Sequence, residues 1–129
     1  FCFICNNIFI KIKSRLKTSW IKISFGELIR ELREKQGMPL RKVAAFVDID
    51  SSTLSKIERR ERSANKELIP ALSQILEISE HDLTVCLLSD NVVESIINES
   101  NSDEILKVAE EKIKYFKSKN FEQGKLNFD

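Results

Sequence analysis

The side chains of this chain best suited to donate hydrogen bonds or attract charge crowd into one stretch, GMPLRKVAAFVDIDSSTLSKIERR, residues 37–60. Leu54 and Ile57 fall three apart. On a helix they share one face, leaving Ser51, Ser52, Ser55, Lys56 and Arg59 on the other. Such a face offers hydroxyl and ammonium donors but no nucleophile beside a base. Its chemistry is recognition of acceptors and anions rather than bond-making. The charge continues past the helix: across residues 56–66, Lys56, Arg59, Arg60, Arg62 and Lys66 stand against only Glu58 and Glu61. A local positive stripe of this kind suits a polyanion. The plainer alternative is a solvated charged surface on one member of a helix bundle.

What must position this face lies just before it. Leu40, Val43, Ala44 and Val47 recur at i, i+3, i+4 and i+7, so a preceding amphipathic helix points Arg41 and Lys42 outward. Between the two helices sits Asp48-Ile49-Asp50. Asp48 tolerates a left-handed turn, Ile49 is placed to plug the corner, and Asp50 is expected to cap the second helix by accepting from its free amides. Two short helices, a tight corner and a small-polar, cationic outer face form the outline of a helix-turn-helix.

Val43-Ala44, the corner Asp48-Ile49-Asp50, the run Ser51-Ser52-Thr53-Leu54-Ser55 and the closing Ile57-Glu58 together resemble the phage-repressor/Cro-like (Xre-type) helix-turn-helix family of transcriptional regulators. In weaker form the resemblance extends over Phe25 to Leu88. It implies an all-α, five-helix lambda-repressor-like DNA-binding domain, here followed by extra C-terminal helices. It also implies that Ser51, Ser52 and Lys56, with Ser55 as a fourth, face base edges. Arg41, Lys42, Arg59, Arg60, Arg62 and Lys66 become the candidates for phosphate contacts. Arg33 is expected to pair with Glu58 and so tie the first helix to the end of the second motif helix. Two residues depart from the family pattern. Leu40 stands where many relatives carry a phosphate-gripping glutamine, and Arg60 stands where a terminal glycine is usual, so the helix is expected to run on past Arg59.

The remaining elements follow from local signals. Ser24-x-x-Glu27 has capping-box spacing, Phe25, Leu28, Ile29 and Leu32 make an apolar stripe, and Gly37 supplies a stop, which predicts a first helix over 25–36. Asn65 is the expected cap of a fourth helix carrying Leu68, Leu72, Ile75 and Leu76, with Pro70 early enough to cost few backbone bonds. Ser79 opens a fifth, with Leu83, Cys86 and Leu87 inward, and the domain is expected over 24–88. Over 89–118 come Val92, Val93, Ile96 and Ile97, then a break over 98–102 with Ser102 as cap, then Ile105, Val108, Ala109, Ile113 and Phe116 on one face of a last helix. This surplus apolar surface predicts dimerisation. A polar tail, 119–129, is expected to fray from Ser118 onward.

Residues 1–23 differ in character. Ile8, Ile10 and Ile12 alternate with Phe9, Lys11 and Lys13, which predicts low order or a short strand. The only methionine is Met38, and the segment is expected to lie outside the domain as translated upstream sequence, with a basic DNA-wrapping arm as the alternative.

The net charge of +1 conceals a gradient: five cations and no acid over 1–24, ten against eight over 25–70, six against twelve over 71–129. Three cysteines, Cys2, Cys5 and Cys86, are too few and too uneven for a disulfide framework, so a cytoplasmic setting is expected. A zinc site on Cys2 and Cys5 would need two more ligands, and only Cys86 and His81 remain, so the thiols read as incidental and no metal or other cofactor is expected. No glycine-rich phosphate loop occurs, Asp48/Asp50 and Glu110/Glu111 read as caps and solvated faces, and catalysis is not expected. No membrane or small-molecule partner is expected. The expected function is sequence-specific binding of double-stranded DNA by a regulator, dimeric on an inverted repeat. The alternative is a protein-binding adaptor or antitoxin-like regulator working through the C-terminal helices.

Overall fold

A computed structural model describes residues 22–122, with side chains to residue 120. The strand expected near Ile8, Cys2, Cys5 and the end of the polar tail lie outside the described residues. All regular structure among the described residues is helical: α1 Phe25–Lys35, α2 Leu40–Phe46, α3 Ser51–Glu58, a 3-10 turn Lys66–Leu68 leading into α4 Ile69–Leu76, α5 Glu80–Ile96 and α6 Ser102–Glu122. None of these helices is long and apolar enough to cross a membrane. The chain divides into two compact units, one ending at Asn91 and one starting at Val92.

The first unit is built around Leu28, Ile29 and Leu32 of α1, Val43 and Ala44 of α2, Leu54 and Ile57 of α3, Leu72 and Leu76 of α4, and Leu83 and Leu87 of α5, all buried. Each helix contributes the face its periodicity marks out. Burial of one such aliphatic side chain is worth about 1.5–3 kcal/mol, so this shared core is the main stabilising term.

Caps fix where the helices start and stop. The Ser24 hydroxyl accepts from the Glu27 amide at 3.3 Å, and Glu27 returns the bond to the Ser24 amide at 3.0 Å. A second, distant cap accompanies it: the Phe25 amide donates to the Asp90 carboxylate of α5 at 2.6 Å. The Asn65 side chain accepts from the Glu67 amide at 3.1 Å, and Ser79 accepts from the Asp82 amide at 3.0 Å.

Four helices end alike. After α1, α2, α3 and α4 one residue turns left-handed, Gly37 at φ 64°, Asp48 at 59°, Arg60 at 63° and Glu77 at 54°. The next amide then reaches back across the last turn: Met38 to the Arg33 carbonyl at 3.1 Å, Ile49 to Ala44 at 3.0 Å, Glu61 to Lys56 at 2.9 Å, Ile78 to Ser73 at 3.2 Å. This satisfies carbonyls that a helix end otherwise leaves bare.

Several local expectations are corrected. The α3 helix does not run on past Arg59; it stops at Glu58 because Arg60 adopts the left-handed conformation a glycine would normally take. Asp50 has the extended backbone of a cap residue but makes no side-chain bond to the helix, which depends on its core face instead. Ser102 is the first residue of α6 rather than its cap, the Asn101 carbonyl accepting from Ile105 at 3.0 Å. The α6 helix continues through Ser118 to Glu122, since that stretch has no breaker. The α5 helix likewise continues past Leu88 to Ile96.

Within the second unit, no described side chain from Val92 to Asn120 is buried. The α6 helix carries exposed ion pairs, Lys114 to Glu110 at 3.0 Å and to Glu111 at 3.4 Å. Tyr115 and Phe116 meet edge-to-face at 5.7 Å between ring centres, and the Lys119 ammonium lies 5.3 Å from the Tyr115 ring.

Candidate nucleic-acid interface

The two sides of α3 differ sharply. Leu54, Ile57 and Glu58 are buried, while Ser51, Ser52 and Lys56 are exposed. Ser51 and Ser52 sit in the first turn and Lys56 one turn later, so their polar groups share the solvent side of one short helix. Ser55 is half-buried, lower on the same side. Its carbonyl accepts from the Arg59 Nε at 3.4 Å.

Around this face the cations are open to solvent. Arg41 and Lys42 occupy the first turn of α2; Arg60, Arg62 and Lys66 follow α3. Arg59 has a carboxylate partner, Glu61 at 3.4 Å, with both side chains about half exposed, an ion pair that water screens heavily. Among the described residues, Arg41, Lys42, Lys56, Arg60, Arg62 and Lys66 have no carboxylate within ion-pairing distance, which leaves their charge available to an incoming anion.

The tilt of α3 is set from beneath. Arg33 of α1 makes a two-pronged contact with Glu58, Nε to Oε1 at 2.8 Å and Nη2 to Oε2 at 3.0 Å. Its remaining nitrogen donates to the Met38 carbonyl at 3.0 Å. The side chains are 13% and 5% exposed, so both charges are largely out of water. Hydrogen bonding to Glu58 holds the Arg33 guanidinium above its ordinary range, against the opposing effect of burial. One guanidinium thereby joins α1, the loop after it and the last residue of α3.

A second device acts two turns earlier on α1. A methyl group placed on Gly26 would come within 2.1 Å of the Ile57 carbonyl oxygen and 3.1 Å of the Glu58 Cα. Only glycine lets the backbones of α1 and α3 approach this closely. Sequence reasoning passed over Gly26, because its reason is a backbone far away in the chain. It also passed over Asp90, the cap from α5, and Gln36, whose side-chain amide donates to the Leu76 carbonyl at 2.8 Å. His81 is exposed and Cys86 is buried, both apart from this face.

An all-helical domain with two short helices about a left-handed corner, the second clamped below and polar above, defines the helix-turn-helix class. The family model described as helix-turn-helix matches residues 29–83, from within α1 into α5. The match supports a DNA-binding regulator's domain over those residues. No curated protein matches the chain. Solved structures similar to the chain include these two. The clp gene regulator ClgR from Corynebacterium glutamicum shares 20% identity at a TM-score of 0.45, covering 68% of this chain and 88% of its own. A structure of the SinR protein/SinI protein complex shares 23% identity at a TM-score of 0.43, covering 73% and 98%.

Proposed function

We propose that α3 enters the major groove of duplex DNA, with Ser51, Ser52 and Lys56 facing base edges and Ser55 at the rim. A lysine ammonium matches the acceptors of guanine, while serine hydroxyls discriminate less. Arg41, Lys42, Arg59, Arg60, Arg62 and Lys66 contact phosphates, which set affinity and orientation rather than sequence. The observation that carries this reading is the two-sidedness of α3: Leu54 and Glu58 are 1% and 6% exposed, while Ser51, Ser52 and Lys56 are open.

One short helix reaches few base pairs. A two-fold pair of subunits reads two half-sites about 34 Å apart, one turn of duplex, so the natural target is an inverted repeat bound by a dimer. Selection of bound sequences from a random DNA pool tests this directly. A palindromic consensus with that spacing is the expected result; a pool that shows no enrichment sinks the reading. Loss of DNA retardation at low salt with retained capture of a protein partner selects the adaptor reading instead. The division of labour is tested by Arg62→Ala, expected to reduce the salt dependence of binding by about one unit of slope without changing the consensus.

A further inference from the structure

The charge of the α6 helix is divided along its length. Over residues 103–111, Asp103, Glu104, Glu110 and Glu111 stand against Lys107 alone; over 112–120 there are four lysines, Lys112, Lys114, Lys117 and Lys119, and no acid. The helix dipole favours acids in the first turn and cations in the last, and its influence fades within one turn of each end. It therefore accounts for Asp103, Glu104 and Lys119, and Glu110 and Glu111 pair with Lys114 within the helix, but neither effect requires acids to fill one half and lysines the other. The division into an acidic half and a basic half falls at Glu111.

The apolar stripe is arranged about the same point. Leu106, Ala109, Ile113 and Phe116 follow each other at three- and four-residue steps, the spacing of a helix that packs lengthwise on another helix. Leu106, Ile113 and Phe116 are 45%, 54% and 59% exposed. Reversing the helix about Glu111 sets Leu106 opposite Phe116 and Ala109 opposite Ile113, and lays the acidic half over the basic half. A parallel pairing would instead place acid on acid and lysine on lysine.

We propose that α6 binds the α6 of a second copy of this chain in antiparallel orientation, centred near Glu111. This rests on the dimeric reading above and gives it a surface and a direction. An antiparallel pair is the self-complementary arrangement a two-fold axis across the helices produces, so one surface serves both subunits. Leu106 and Ile113 lie against the partner's Phe116 and Ala109, with the small Ala109 side chain admitting close approach.

The test uses the full chain without DNA, so it stands apart from base recognition. An equal mixture of unlabelled and nitrogen-15-labelled protein is treated with a carbodiimide, which joins carboxylates to lysines with no spacer, and the mixed-isotope peptides are sequenced. Links between copies from Asp103 or Glu104 to Lys117 or Lys119 are expected, together with a dimer in sedimentation at micromolar concentration. Links between copies confined to other segments, or a monomer under these conditions, overturn the proposal. A monomer whose α6 carboxylates link within one chain to Lys11, Lys13 or Lys17 also overturns it and names that segment as the occupant. As an independent measure, Lys112→Glu/Lys117→Glu cancels the positive charge of the basic half. At least a tenfold rise in the dimer dissociation constant with unchanged helix content supports the orientation, and an unchanged constant contradicts it. If the proposal fails while the DNA pool still yields a palindrome, only the interface is lost; if the pool fails too, the regulator's dimeric reading falls with it.

Discussion

The two units of the chain carry apolar residues at helical spacing alike, yet only the first buries them. Up to Asn91 the stripes of five helices close on one another around Leu28, Ile29, Leu54, Leu72 and Leu83. From Val92 onward, Val92, Val93, Ile97, Ile113 and Phe116 remain open, Ile97 at 65% and Phe116 at 59% exposure. Local ion pairs such as Lys114–Glu110 contribute about 0.2–0.5 kcal/mol each, far below what a buried aliphatic supplies. The contrast teaches that amphipathic periodicity specifies a face to be covered without specifying what covers it. In the first unit the chain covers its own faces; in the second the faces stay open.

The contrast is easiest to break at the clamp. Glu58→Ala leaves the Arg33 guanidinium largely buried without its carboxylate and is expected to cost about 3–5 kcal/mol in denaturant-induced unfolding. Adding Arg33→Leu should recover part of that loss, since no buried charge is then stranded. An unchanged unfolding midpoint for the single variant would show that the first unit does not depend on this contact. Next in size, Gly26→Ala pushes α1 off the Ile57 carbonyl and is expected to destabilise by about 1–3 kcal/mol. Because it shifts the base of α3, it should weaken DNA retardation beyond what its unfolded fraction explains.

A pH titration sharpens the comparison from inside the core. Burial, with the nearby Asp90 charge as a smaller cause, pushes the Cys86 thiol from 9.0 up to about 11. The folded state therefore holds this proton more tightly than the unfolded chain does. The associated stability is complete below about pH 9 and is lost as pH climbs through about 11. Unfolding curves of the native chain should weaken across that window, and Cys86→Val should weaken less. Equal slopes would mean that the thiol is not sheltered. The smallest monomer effect belongs to the second unit: Phe116→Ser, at an exposed position, should change the monomer's unfolding free energy by less than about 0.5 kcal/mol while raising the dimer dissociation constant. A large loss of monomer stability would show that Phe116 is covered within one chain after all.

The parts of the fold that could be read from the amino acids are those whose causes lie within a turn or two. Leu28, Ile29 and Leu32 mark the inward face of α1, Ser24 and Glu27 mark its start, and Gly37 marks its end, all by local stereochemistry. The corner at Asp48 was legible for the same reason. Arg60 was not: an arginine turned left-handed costs about 1–2 kcal/mol, so its residue type argues for continuation, and only the returning Glu61 amide and the buried underside of α3 overrule it. Asp50 misled in the opposite direction, having a good capping residue's identity without the bond. The extension of α5 past Leu88 could have been read, because the sequence through Val93 has no glycine or proline to halt it. Gly26 and Asp90 lay beyond reach, since each answers to a partner brought near only by the completed fold. At the recognition face, residue type and spacing named the outward hydroxyls and cations, but not how deeply Ser55 sits.

The bond from the Phe25 amide to Asp90 joins the first residue of α1 to α5 one residue before the first unit ends at Asn91. The stretch between them is thus closed into a ring by this one hydrogen. Its exchange with deuterated solvent becomes a reporter for the whole unit: a single amide near the amino end whose protection measures whether the carboxy-terminal turn of the unit, sixty-five residues later, is still in place.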